Sequence, residues 1–207
     1  MIRDSIAAER RELAAMLAGL TAGQWDAPTL CDGWTVRHVV AHLTMPFRYP
    51  APVFVLKLAL AGGSFQRMSD AVARRDAAMP PAELLAAGRD NAEHRWKPPG
   101  GGYEGALVHD VIHTLDITSP LRIEHPFPAG SLRTVLDAVS APKTRRFFGA
   151  QADGVELRAT DLDWSNGHGA PVLGQASDLA LLLTGRRVRP GALSGEGAAR
   201  IAGYASR

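Results

Sequence analysis

The chain has 207 residues, 46% of them hydrophobic and 21% charged, which gives one large or two small domains of ordinary globular composition. Lys plus Arg (23) nearly balances Asp plus Glu (21), and no dense basic run with interleaved aromatics occurs, so a nucleic-acid partner is not expected. The single cysteine, Cys31, excludes an internal disulfide and cysteine-rich zinc knuckles and fits a reducing cytoplasm.

In chain order, Asp4–Leu20 places Ile6, Leu13, Leu17 and Leu20 on one side of an amphipathic helix. Its charged start has no apolar core of signal-peptide type. The segment QWDAPTLCDGW is a loop with Pro28, Asp32 and Gly33 as turn formers. Thr35 is a good N-cap for a helix carrying Val36, Val39, Val40, Leu43 and Phe47. His38 occupies the third helical position, where a capping-box acid often stands, and is expected to face solvent; His42, inside VVAHL, is expected to face inward. Pro46, Pro50 and Pro52 are expected to break this helix. The longest apolar run, 51–63, is interrupted by Lys57 and falls short of the ~20 residues a membrane span needs. It reads instead as a helix from Val53 to Leu60 ending at Gly62-Gly63, with 68–78 as its continuation.

Pro80-Pro81 opens a long helix, Ala82–Trp96, and KPPGGG breaks the chain after it. That glycine run has no Lys-Ser/Thr pair behind it and is not a phosphate loop. Glu104–Thr118 is the next helix. Pro120–Pro128 is a linker, and Leu132–Val139 a further helix ended before Pro142. From Gly154 the period changes to two: Val155, Leu157 and Ala159 alternate with Glu156, Arg158 and Thr160 as a half-buried strand. DLDWSNGHG reads as a turn, APVLG as a second strand, and Ser177–Thr184 as a buried helix stopped at Gly185. Residues 191–207 are small and polar and are expected to be loosely held. The division is a helical segment, 1–145, and a smaller α+β segment, 146–207.

The chemistry concentrates on Glu104–Thr118. At ~3.6 residues per turn, His109, His113 and Asp116 share one stripe, beside an apolar stripe of Val108, Ile112 and Leu115. Bundles build metal sites from side chains on facing helices. If the His42 helix packs beside this one, His42, His109 and His113 converge on one divalent ion, with zinc, nickel, cobalt and iron all suited to imidazole. Three protein ligands leave positions open for water or substrate, and Asp116 can orient a histidine ring. The plainer alternative is that these histidines are satisfied core residues, since an H-x3-H pair also arises by chance. Cys31 reads as a small loop residue, Trp25 and Trp34 as clamps on the first loop, His94 as part of a solvated helix face, and His125 and His168 as loop residues. No G-x-S-x-G motif supports a serine triad.

Trp25 followed by PTLCDGWTVRHVVAHL resembles the N-terminal signature of the mycothiol-dependent maleylpyruvate isomerase family, part of the wider DinB-like group of metal-binding four-helix bundles. LVHDVIHTLDI resembles that family's second metal-binding helix, and ELRATDLDW with GAPVLGQASDLALLLTGR its small C-terminal α+β domain, similar to sterol-carrier folds. The resemblance implies a mostly α fold with the first metal histidine at His42 and the second-helix pair at His109 and His113. The isomerase itself has a glutamate where His109 stands; a three-histidine set is used by many DinB-like bundles. The implied chemistry is a divalent metal, zinc first and nickel as an alternative, with mycothiol as co-substrate. The metal lowers the thiol's pKa, and the thiolate attacks a small electrophile, to isomerise it or to stay on it. Arg186 and Arg187 are candidates for a substrate carboxylate. A monomer or homodimer, cytoplasmic and without a membrane partner, is expected. The readings set against this are a non-catalytic ligand-binding or regulatory module on the same fold, and metal-assisted hydrolysis by bound water.

Overall fold

The computed structural model describes residues 1–149 and 152–201. It is mostly α, as expected: α1 (Ile2–Ala18), α2 (Ala22–Trp25), α3 (Val36–Arg48), α4 (Ala51–Leu60), α5 (Phe65–Asp76), α6 (Pro81–Arg89), α7 (Gly102–Leu121), α8 (Ala129–Ser140) and α9 (Pro142–Phe148) precede β1 (Val155–Ala159), β2 (Ser165–Gly167), β3 (Ala170–Gly174), α10 (Ala176–Leu183) and α11 (Ala198–Ile201). Among the described residues no helix is long and apolar enough to cross a membrane. By packing, the chain forms two compact units: Met1–Ala106 with Asp116–Glu124, and Leu107–Leu115 with the chain from His125 onward. The division into 1–145 and 146–207 rests on hydrophobic period, a different criterion, and as a statement about folding domains it remains a proposal.

In the first unit five helices supply one core. Leu13 and Leu17 come from α1, Trp25 from α2, Val36, Val39, Val40 and Leu43 from α3, Leu84 from α6 and Ile117 from α7. The apolar spacing along α1 and α3 is what turns these residues to a common side. A second cluster, Met45, Met68 and Val72, joins α3 to α5. Pro46 does not break α3, which runs on to Arg48. The proline removes the N–H that would bond the His42 carbonyl. Arg48 reaches back over two turns, donating to the Ala41 carbonyl (2.8 Å) and to Thr44 Oγ1 (3.1 Å). The 68–78 segment belongs to a separate helix, α5, because Ser64 caps it by accepting from the Arg67 N–H. The helix expected over 82–96 stops at Arg89. Asn91 Nδ2 donates to the Ala87 carbonyl (2.9 Å), and Arg10 of α1 donates to the carbonyls of Ala92 and His94, so the chain beyond Arg89 is held as loop.

In the second unit β1 is the central strand of the order β2-β1-β3, antiparallel to β2 and parallel to β3, with Leu157 opposite both Asn166 and Val172. The expected alternation holds, with Val155 and Leu157 buried and Arg158 exposed. The turn expected over DLDWSNGHG contains β2. Gly169 lies at φ +127°, and a Cβ there would sit 2.1 Å from the Gly154 carbonyl oxygen, so only glycine admits this approach of the two segments. Helix α10 packs on α8 and β1, and Gly185 ends it at φ +73°. Pro142 does more than end α8: it opens the short helix α9. Residues 191–201 are held in place, contrary to expectation. Ser194 exchanges two backbone hydrogen bonds with Leu173, Gly197 donates to Pro171, and Ile201 is buried. The remainder of that stretch, 202–207, lies outside the described residues.

Candidate metal centre

His42 sits on the second turn of α3, 6% exposed. The helix start that sets its direction is capped by Thr35, and the partner at the third position is His38, whose Nδ1 accepts from the Thr35 N–H (3.2 Å) and lies 2.8 Å from Thr35 Oγ1. His38 thus does the work of the usual glutamate and is half-buried, not solvent-facing. Burial, and then the Arg74 charge against a smaller opposing effect of Asp70, holds its pKa below the ordinary 6.5. A depressed histidine pKa means the unfolded chain binds the proton more tightly. The contribution is complete above pH 6.5 and is lost as the pH falls below it. In urea unfolding between pH 7.5 and 5.5, His38→Gln, which keeps an acceptor but cannot titrate, is expected to show a shallower loss of stability than the parent. Parallel curves would remove His38 from the pH response.

Of two neighbours of His42, Ser69 carries no sequence signal and Trp34 carries none of this role. Ser69 Oγ of α5 lies 2.7 Å from His42 Nδ1, and the Trp34 ring packs against the imidazole at 5.4 Å between centroids. Trp34, read from the sequence as a loop clamp, is itself fixed by its Nε1–H donating to Asp70 Oδ1 (2.8 Å). Asp70 is held by Arg74 Nε at 2.9 and 3.0 Å, and these bonds, Arg74 before Trp34, keep its carboxyl below the usual range.

On α7, His109 and His113 stand one turn apart with rings edge to face, 4.9 Å between centroids. His109 Nδ1 lies 3.0 Å from Asp110 Oδ1, and Asp110 is buried. The helix is not two-faced as its stripes suggest: Asp110, Thr114, Asp116 and Thr118 are buried along with Val108, Ile112 and Leu115. Asp116, 0% exposed, accepts a hydrogen bond from Cys31 Sγ (3.0 Å), and its backbone carbonyl accepts from the Leu30 N–H (3.0 Å).

Among the described residues, two sets of three offer one ligand atom apiece with all atoms of the set within 4.8 Å of one another: His42, His109 and His113, and Cys31, His113 and Asp116. The remaining histidines are elsewhere. His94 is on an exposed loop against Phe47, not on a helix; His125 stacks near Phe127; His168 is exposed between β2 and β3. Arg186 Nη1 donates to the Thr184 carbonyl (2.8 Å) and its guanidinium lies over the Phe148 ring.

Residues 6–97 match the family model described as the mycothiol maleylpyruvate isomerase N-terminal domain. Over that segment, somewhat less than half of its length, the chain is similar to the mycothiol maleylpyruvate isomerase family. The match includes Trp25, Cys31, Trp34 and His42, and ends before α7. Crystal structures of the mycothiol-dependent maleylpyruvate isomerase and of a mutant of it superpose with TM-scores of 0.63 and 0.62, each at 14% identity over 94% of this chain and 91% of theirs. At that identity the likeness shows a common fold. Uncharacterized proteins from two strains of Mycobacterium tuberculosis are each 28% identical, over 87% of this chain and 83% of theirs.

Proposed function

We propose that this chain is a divalent-metal-dependent enzyme that uses a low-molecular-weight thiol, mycothiol where it is available, to isomerise or conjugate a small electrophile. The observation that carries the reading is the set His42, His109 and His113, whose ligand atoms lie within 4.8 Å of one another. Their chemistry suits a zinc-like ion. Ser69 engages His42 Nδ1 and the Asp110 carboxylate engages His109 Nδ1, an arrangement in which each ring presents Nε2 as the ligand. When bound, the ion supplies Lewis acidity that raises the thiolate fraction at neutral pH. The protein's own part is to hold the imidazoles. Asp110 fixes the His109 tautomer, Ser69 fixes His42, and the half-buried Trp34 ring packs against the His42 imidazole.

Elemental analysis of tag-free protein, followed by assays with mycothiol and varied electrophiles, tests the reading. About one divalent ion per chain with turnover that requires both ion and thiol is expected. A folded chain that neither holds nor takes up metal overturns the reading and returns the histidines to the core. Metal retained without thiol-dependent turnover turns it toward hydrolysis by bound water. Asp110→Asn is expected to keep the fold and weaken metal binding by about 10- to 100-fold, read by competition with a chromogenic chelator; unchanged affinity would mean that Asp110 does not orient a ligand.

A further inference from the structure

We propose that Cys31, His113 and Asp116 form a second position for a thiophilic divalent cation. It shares His113 with the three-histidine set but stands on separate observations. Their ligand atoms lie within 4.8 Å of one another. Cys31 Sγ already lies 3.0 Å from Asp116 Oδ2, and Asp116 and His113 are one helical turn apart on α7. The thiol is placed by its backbone. Cys31 N–H donates to Thr29 Oγ1, the Cys31 carbonyl accepts from Trp34 N–H, and Leu30 N–H donates to the Asp116 carbonyl, so the loop is tied to the helix that carries the other two ligands. A thiol, an imidazole and a carboxylate are a tetrahedral zinc or cobalt set with one position remaining.

Binding replaces the S–H···O hydrogen bond with a metal–sulfur bond and releases one proton to solvent, with no change in oxidation state. The fully buried carboxylate then faces a cation in place of a neutral thiol.

The chain contains one cysteine, so any thiolate-to-metal charge transfer has a single origin. Cobalt(II) titration of the full, tag-free, reduced protein is expected to give a near-ultraviolet sulfur-to-cobalt band beside the visible ligand-field bands. Cys31→Ser is expected to abolish the near-ultraviolet band, and Asp116→Asn to weaken the transition about tenfold or more. His42→Ala, which removes a ligand of the other set only, is expected to leave the near-ultraviolet band in place. Visible bands alone, in protein whose far-ultraviolet dichroism is native, would overturn the proposal and leave the three-histidine reading intact. So would a near-ultraviolet band that survives in Cys31→Ser. Loss of the visible bands in His42→Ala with no near-ultraviolet band in any protein would assign cobalt to the histidines only.

Discussion

His42→Ala is expected to bind divalent metal at the three-histidine set at least about 100-fold more weakly than the parent, because losing a ligand exceeds the 10- to 100-fold cost of losing a group that merely orients one. The change also has a stability readout. An ion at 100 times its dissociation constant stabilises the folded state by about 2.7 kcal/mol, which for a chain of this size is a rise in Tm of about 5–10 °C. The parent should show that rise on adding zinc to chelator-treated protein; the variant should gain less, keeping only what the Cys31 position supplies. His42 is buried against Trp34 and Ser69, so truncation also lowers the metal-free Tm through the space it leaves. The comparison is therefore the zinc-dependent difference within each protein. A variant that gains as much from zinc as the parent would remove His42 from the ligand set.

Asp76→Ala is expected to destabilise the protein by about 3–5 kcal/mol, the cost of breaking a buried ion pair by removing one partner. Asp76 is 5% exposed at the end of α5. Its Oδ2 accepts from Arg48 Nη1 (2.7 Å) and from the Tyr49 hydroxyl (2.7 Å), and its Oδ1 from Arg75 Nε (2.8 Å). Arg75 also reaches the Tyr49 hydroxyl. The carboxylate ties the end of α3 to α5, where α3 has passed Pro46 and lacks a full set of its own bonds. Burial by itself would raise the Asp76 pKa; the bonds from Tyr49, Arg48 and Arg75 outweigh it and leave the carboxyl below 3.8. The unfolded chain binds this proton more tightly. The contribution is complete above pH 3.8 and is lost as the pH falls from there through the folded value. Denaturant unfolding at pH 7 and pH 3 checks both points: the gap between parent and variant should be large at pH 7 and narrower at pH 3. A gap below about 1 kcal/mol at pH 7 would place the pair among surface bridges of little worth.

The sequence carried most of the longer helices of the first unit and the two paired strands of the second because their apolar spacing is regular, and it singled out His42, His109 and His113 as candidates because imidazoles on apolar helical runs are conspicuous. What it did not carry depends on long-range partners. The end of α6 is set by Asn91 and by Arg10, more than eighty positions away from the carbonyls it meets. Ser69 and Trp34 are ordinary residues in their local context and become neighbours of His42 only once α3, α5 and the loop before α3 pack. The Cys31–Asp116 contact joins a loop to a helix 85 positions later, and no periodicity encodes it. His38 was visible at the capping position but not in its role, since imidazole fills the place of an acid only when its Nδ1 is turned back to Thr35.

The segment that carries the family signature stops at residue 97, while Ile117 and Leu121 of α7 pack into the same core as Val36, Val39 and Leu84. A recombinant piece cut to the signature would leave that core open on one side and hold His42 without His109 or His113. The recognisable part of the protein is thus not a detachable unit. Of the three candidate ligands, one lies within the recognisable segment and two on a helix outside it. Relatives recognised through this segment alone can therefore differ in donor type, and so in the ion they prefer, while remaining indistinguishable by their signature.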